Sequence, residues 1–155
     1  MLTAHLPSGY LAARTFAPTL TCAVPVGLIA SILPDFDLIW FYLIDNRAFH
    51  HHHYWVHVPA FWAVLALLTW PLANRFNRLG LRAVFFGVIA LHMVLDTIAG
   101  GIAWGRPFTG HLFTLVGVPA TQSHWLLNFV LHWTFLLELV IWALAVLVFM
   151  KGRRP

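Results

Sequence analysis

The sequence predicts an all-α fold: an integral membrane helical bundle with an N-terminal helical hairpin and about three longer transmembrane helices. Three observations carry this prediction. Apolar residues make up 61% of the 155 residues and charged residues only 9%, so the chain cannot coat a water-facing surface as soluble domains do with roughly 25% charge. Apolar runs recur at 58–73, 81–99 and 125–150, each near the length that crosses a bilayer. Basic residues gather at the ends of these runs, where membrane flanks carry them. Residues 1–155 read as a single membrane-embedded helical domain, with no internal repeat or long linker.

The first element is the hairpin. Residues 10–33 are mostly apolar and have the length of one span, but Pro18 and Pro25 interrupt them. A proline disfavours helix at the residue before it and suits a first helical turn. The preferred reading is two short helices, about 4–16 and 19–33, turning near Ala17-Pro18-Thr19. Residues 34–57 form the most polar stretch and are expected as a loop. The run from Val58 to Ala73 is slightly short for a span but is flanked by tryptophans. Residues 74–82 make a short basic loop with Arg75, Arg78 and Arg82. The helix over 81–99 is closed by Gly100-Gly101. Residues 100–124 are a Gly-, Pro- and Thr-rich loop, and Trp125 to Met150 is long enough to span with tilt. The tail from Lys151 to Pro155 is basic, and the start of the chain lacks the pattern of a signal peptide.

Composition excludes several function classes. One cysteine, Cys22, allows neither an intramolecular disulfide nor a multi-cysteine metal site. The net charge of +4 comes without a basic stripe interleaved with aromatics, so no nucleic-acid partner is expected. Ten histidines against five acids is the unusual feature, because membrane proteins seldom keep ionisable groups without a use.

The acids and histidines are patterned. Asp35 and Asp37 in Pro34-Asp35-Phe36-Asp37 can clamp or bridge cations, or cap a turn. His50-His51-His52-His53 and His57 follow; His53 and His57 are four apart, which puts them on one face if this segment is helical. Neutral imidazole is a common zinc ligand, and a pH-responsive polar cluster is the blander reading. His92 and Asp96 leave one face of an otherwise apolar helix, where an unpaired carboxylate is costly. It needs a metal, an arginine or a water-filled cavity; an Asp–His hydrogen bond between helices is the alternative. Thr97 and Gly100-Gly101 follow and let loop backbone approach a ligand. His124 stands just before the last run, and Asn128, His132 and Glu138 stand within it. Asn128 and His132 share a helix face, while Glu138 lies about 120° round from His132 and suits orienting a ligand histidine. The hairpin returns His5 to the level of Asp35 and Asp37. One conformational choice thus gathers His5, Asp35, Asp37, His52, His57, His92, Asp96 and His132 as expected metal ligands.

These motifs resemble those of the YdjM-like family of membrane-bound, metal-dependent hydrolases, also described as LexA-binding inner-membrane hydrolases. His5 in Ala4-His5-Leu6-Pro7-Ser8-Gly9, the Pro34–Asp37 motif and His92–Asp96 with Thr97 match in order, and Asn128 to Glu138 looks like the same group. One motif departs: where the family carries His-Arg-x-x-Thr-His-Ser, this chain has His52 to Val58, with His53, Val56 and Val58 replacing Arg, Thr and Ser. The family is distantly similar to zinc-dependent phospholipase C, an all-helical fold that holds several zinc ions with His and Asp. The resemblance implies phosphoester hydrolysis.

The expectation is therefore a hydrolase with two or more divalent ions, zinc first, acting on an ester or phosphoester of a membrane lipid or lipid-linked substrate. Asp35 or Asp37 would bridge ions or act as general base; His53, Thr97, His124, Asn128 and Glu138 are expected to bind substrate or support ligands. A metal-binding or proton-relay transport component is the second reading, with a homo-oligomer supplying further helices; a non-catalytic scaffold is the third. The chain is expected in a bacterial inner membrane. Arg14, Arg75, Arg78, Arg82, Lys151, Arg153 and Arg154 fall on one side and Arg47 and Arg106 on the other, which turns the site outward by the positive-inside rule.

Overall fold

The computed structural model describes residue 1 and residues 3–152. Arg153 and Arg154 of the basic tail lie outside the described residues. Seven α-helices account for the regular structure among the described residues: α1 (His5–Phe16), α2 (Ala23–Ile32), α3 (Asp37–Leu43), α4 (Pro59–Arg75), α5 (Leu79–Ala99), α6 (Trp125–Val130) and α7 (Thr134–Lys151).

The hairpin forms. The chain turns over residues 17–22, and α2 starts with Pro25 in its first turn, where a missing N–H is harmless. Small residues let α1 and α2 touch. A Cβ on Gly9 would stand 2.6 Å from the Gly27 carbonyl oxygen and from Ser31 Cβ, so any side chain there would force the helices apart. This crossing sets His5, at the start of α1, beside the end of α2.

The polar stretch after the hairpin is more ordered than a loop. Pro34 opens a single 3-10 turn and Leu38, Ile39, Trp40 and Phe41 carry the chain on into α3. The α2 axis and the Pro34–Leu43 segment differ by 44°, and the pair together is long and apolar enough to count as one broken span. Proline has no N–H to continue the α2 ladder, which accounts for the bend. The bend falls immediately before Asp35 and Asp37.

α5 and α7 are each long and apolar enough to cross a membrane, and the bent pair makes a third candidate. α4, with 17 residues, is shorter than these two. Leu136, Val140, Leu144 and Leu147 of α7 are exposed, as a lipid-facing helix requires. α5 is central: it packs against α1, α2 and α4, and its buried face runs through Val88, Ile89, His92, Met93 and Asp96. Ala30, Trp62 and Ile102 form the apolar core with Val88, Ile89 and Met93 of that face.

The last apolar run is not one helix. It breaks at residues 131–133, between α6 and α7. His132 turns back at this break: its Nδ1 lies 2.9 Å from Thr134 Oγ1 and accepts from the Thr134 N–H at 3.4 Å. A side chain bonding the first backbone N–H of a helix competes with continuing that helix upstream.

Basic side chains collect at the far end of the bundle. Arg14 closes α1, Arg75 closes α4, Arg78 precedes α5 and Lys151 closes α7. The Arg14 guanidinium packs on Gly152, at the C-terminus of α7, where a cation complements the helix dipole.

Candidate metal centre

Two clusters of possible ligands lie side by side. In the first, His5, Asp35, His92 and Asp96 bring one donor atom each to within 4.8 Å of the others; His51, His52 and His57 do the same in the second. Five segments supply them: α1, the bend before α3, the two 3-10 turns at His51–His53 and Trp55–His57, and the end of α5.

Three of the five clustered histidines are oriented by bonds on their outer nitrogens. His92 Nδ1 lies 2.7 Å from the Ser31 carbonyl oxygen, His52 Nδ1 lies 2.7 Å from that of Gly101, and His57 Nδ1 lies 2.6 Å from Asp37 Oδ2. The two carbonyls can only accept, so Nδ1 of His92 and His52 carries the proton and donates. Each Nε2 then faces inward. His92 Nε2 is 3.1 Å from Asp96 Oδ2 and 3.6 Å from Asp35 Oδ1. His57 Nε2 is 3.7 Å from the same two oxygens. His52 Nε2 is 3.6 Å from Asp96 Oδ2, and His5 Nε2 is 3.1 Å from Asp96 Oδ1. The Met1 amino group also reaches Asp96 Oδ1, at 2.5 Å.

These residues fit a cation. His57 Nε2, His92 Nε2 and Asp96 Oδ2 are buried and make no hydrogen bond within the protein, although buried polar atoms are nearly always satisfied. Donors about 2.1 Å from a tetrahedral zinc ion stand about 3.4 Å from one another; the closest gaps between imidazole Nε2 and carboxylate oxygen here run from 3.1 to 3.7 Å, and every donor of a cluster lies within 4.8 Å of the others. A ring nitrogen held by carbonyl or carboxylate while its other nitrogen points into the site is how ligand histidines are fixed.

Electrostatics favour the same use. Burial pushes the His52 imidazole down to about 3, against the pull of Asp96, so it is neutral at physiological pH. Burial also opposes a charged His57, but Asp35 and Asp37 outweigh it and hold the group up at about 9. A cation held here would replace that proton.

The remaining predicted residues go elsewhere. His132 makes its bonds with Thr134, at the α6–α7 break, and is in neither cluster. His124 caps α6 through the Leu126 N–H, and Asn128 ties down Gln122; the break between α6 and α7 also removes the shared helix face of Asn128 and His132. His53 and His57 do not share a helix face either, because extended Tyr54 separates their two 3-10 turns. The His53 carbonyl accepts from Arg106. Thr97 bonds Met93 and Trp104. Glu138 holds Thr3 rather than a histidine. Sequence reasoning named His52 from the four adjacent histidines but missed His51, whose Nδ1 stands 3.4 Å from Asp37 Oδ1. It also missed the Ser31 carbonyl, a backbone atom that leaves no trace in residue type.

The fold and the site together define a helical membrane protein whose buried histidines and carboxylates could hold metal ions. Comparison with known families agrees with the membrane setting. A family model described as YdjM inner membrane protein matches residues 1–154, and the chain belongs to that family. No curated protein and no solved structure matches it.

Proposed function

We propose that the protein is a membrane-embedded, metal-dependent hydrolase that cleaves an ester or phosphoester bond in a lipid or lipid-linked substrate. The observation that carries this reading is the convergence of Nε2 of His52, His57 and His92 on Asp35 and Asp96, with each Nδ1 already engaged.

His5, His92, Asp35 and Asp96 would hold one divalent ion, zinc by donor type, and His51, His52 and His57 a second. Bound there, such ions polarise an ester or phosphoryl oxygen and lower the pKa of water toward about 7. The other work falls to the chain. Asp35 is the less buried of the two clustered carboxylates, its side chain 27% exposed against 2% for Asp96; Asp37, outside both clusters, is 4% exposed. Asp35 lines a cavity of about 490 Å³ that reaches the clusters. Asp35 takes the proton of the attacking water and returns it to the leaving oxygen as the ester bond breaks. Asp37 keeps the His57 ring in place. Leu38, Phe41, Trp125 and Phe129 on the cavity wall suit an acyl chain. With the basic ends of the helices in the cytoplasm, the cavity opens outward.

The test is elemental analysis of purified wild type, Asp35→Ala and His92→Ala, with a lipid phosphoester assay on the same samples. Zinc bound to the wild type and diminished in both variants, with activity lost to a chelator and restored by zinc, is the expected result. Wild type that is metal-free from a chelator-free preparation overturns the reading, and ion flux in proteoliposomes without hydrolysis favours transport.

A further inference from the structure

The same cavity carries a cation at its mouth that no part of the metal centre uses. Asn46 and Arg47 both adopt left-handed backbone, with φ of 47° and 62°. This region is disfavoured for residues with a Cβ, and such residues concentrate where function constrains the chain. The Arg47 N–H donates to the Phe41 carbonyl at 2.9 Å, which pins this turn to the end of α3. The Arg47 guanidinium lies 6.0 Å from the Tyr42 ring centroid and lines the cavity. Among the described residues it forms no ion pair; Asp45, its nearest acid in sequence, accepts from the Tyr54 hydroxyl. Among the described residues no other lysine or arginine lines this cavity.

We infer that Arg47 is the specificity-determining residue for the substrate's phosphate group, and that the substrate is a lipid whose phosphate sits between Arg47 and the His/Asp floor. The inference rests on the hydrolase reading and narrows its substrate class. An exposed, unpaired guanidinium offers a planar fork of donors that fits phosphate oxygens. The sequence supplies no arginine inside the His52–His57 motif, so Arg47 reaches the cavity from outside it. Trp125 and Phe129 line the same cavity and cover the apolar chain that a free phosphate ion lacks.

Binding of three probes to zinc-treated, detergent-purified protein tests this: short-chain phosphatidic acid, the matching uncharged diacylglycerol, and inorganic phosphate. Bound zinc is measured in every sample. Wild type should bind phosphatidic acid most tightly. Arg47→Gln should weaken that binding by about tenfold or more, the scale of a charge-assisted hydrogen bond, and leave diacylglycerol binding and zinc content unchanged. Arg47→Lys should recover part of the loss, which a merely unfolded variant would not. Phosphatidic acid bound equally by wild type and Arg47→Gln overturns the inference, as does inorganic phosphate bound as tightly as the lipid. Absence of zinc from the wild type counts against the hydrolase reading instead, and the charge-selective loss in Arg47→Gln is read separately from it.

Discussion

Glu138 of α7 accepts both the backbone N–H and the hydroxyl of Thr3, each at 2.6 Å. The two residues are 135 positions apart, and Thr3 stands two residues before His5. A fully buried carboxylate in a lipid-facing helix thus anchors the segment that lays His5 on Asp96. Glu138→Ala leaves the Thr3 N–H without its acceptor and should cost about 1–3 kcal/mol of stability. Thr3→Ala keeps the backbone bond and should cost less. Thermal melts in detergent would check the order, and zinc affinity should fall further in Glu138→Ala.

Asp37 acts on the site through His57. Its Oδ2 lies 2.6 Å from Nδ1 and sets the ring so that Nε2 faces the carboxylates. Asp37→Asn removes the negative charge behind the ring. Zinc affinity should fall by about 10- to 100-fold, the usual effect of losing such a partner. Competition against a chromophoric chelator measures this, and unchanged affinity would assign Asp37 to folding alone.

Metal binding should depend on pH in a stated direction. Burial disfavours the His57 imidazolium, but Asp35 and Asp37 prevail and hold its pKa up at about 9. Below that pH a proton occupies the group and competes with a cation; above it the proton is gone. Apparent zinc affinity should therefore rise with pH up to about 9, by at most about tenfold per unit from this one proton. Titrations at fixed zinc between pH 6 and pH 9 on the order of one-unit steps would check the slope.

Gly100 makes room for a ligand. A Cβ there would stand 2.6 Å from His52 Cε1. The residue itself has an ordinary backbone, with φ of −107°, so the consequence of Gly100→Ala is a displaced imidazole rather than a strained turn. Zinc in the His51/His52/His57 cluster should drop while the other cluster keeps its ion. Elemental analysis reading half the wild-type content, with a near-native melting temperature, is the expected outcome.

His132 and His92 should separate cleanly. His132 caps the start of α7 from the helix break, and His92 points into the first cluster. His132→Ala should lower stability by about 1 kcal/mol, as loss of a cap does, and leave zinc content untouched. His92→Ala should remove zinc. Loss of zinc in both variants would mean that His132 reaches the ions after all.

Much of the site was legible before any coordinates. His92 and Asp96 share a face because a helix repeats every 3.6 residues, and an acid in an apolar run needs a partner. The two prolines marked the hairpin, and the hairpin returned His5 to the level of Asp35. These inferences hold because periodicity and the cost of burying charge act over a few residues. The break before α7 was not legible, since a run of apolar residues has the same hydropathy with or without an interruption. Nor was the place of His51 beside the expected His52. The His52 ring is oriented by where the carbonyls of Gly100 and Gly101 arrive, nearly fifty residues later in the chain. The orientation of His92 depends likewise on Ser31, 61 residues away. Residue type and spacing say which side chains can bind a cation. Which nitrogen is presented, and toward which neighbours, is set by backbone groups that carry no sequence signature and meet the rings only when the helices pack.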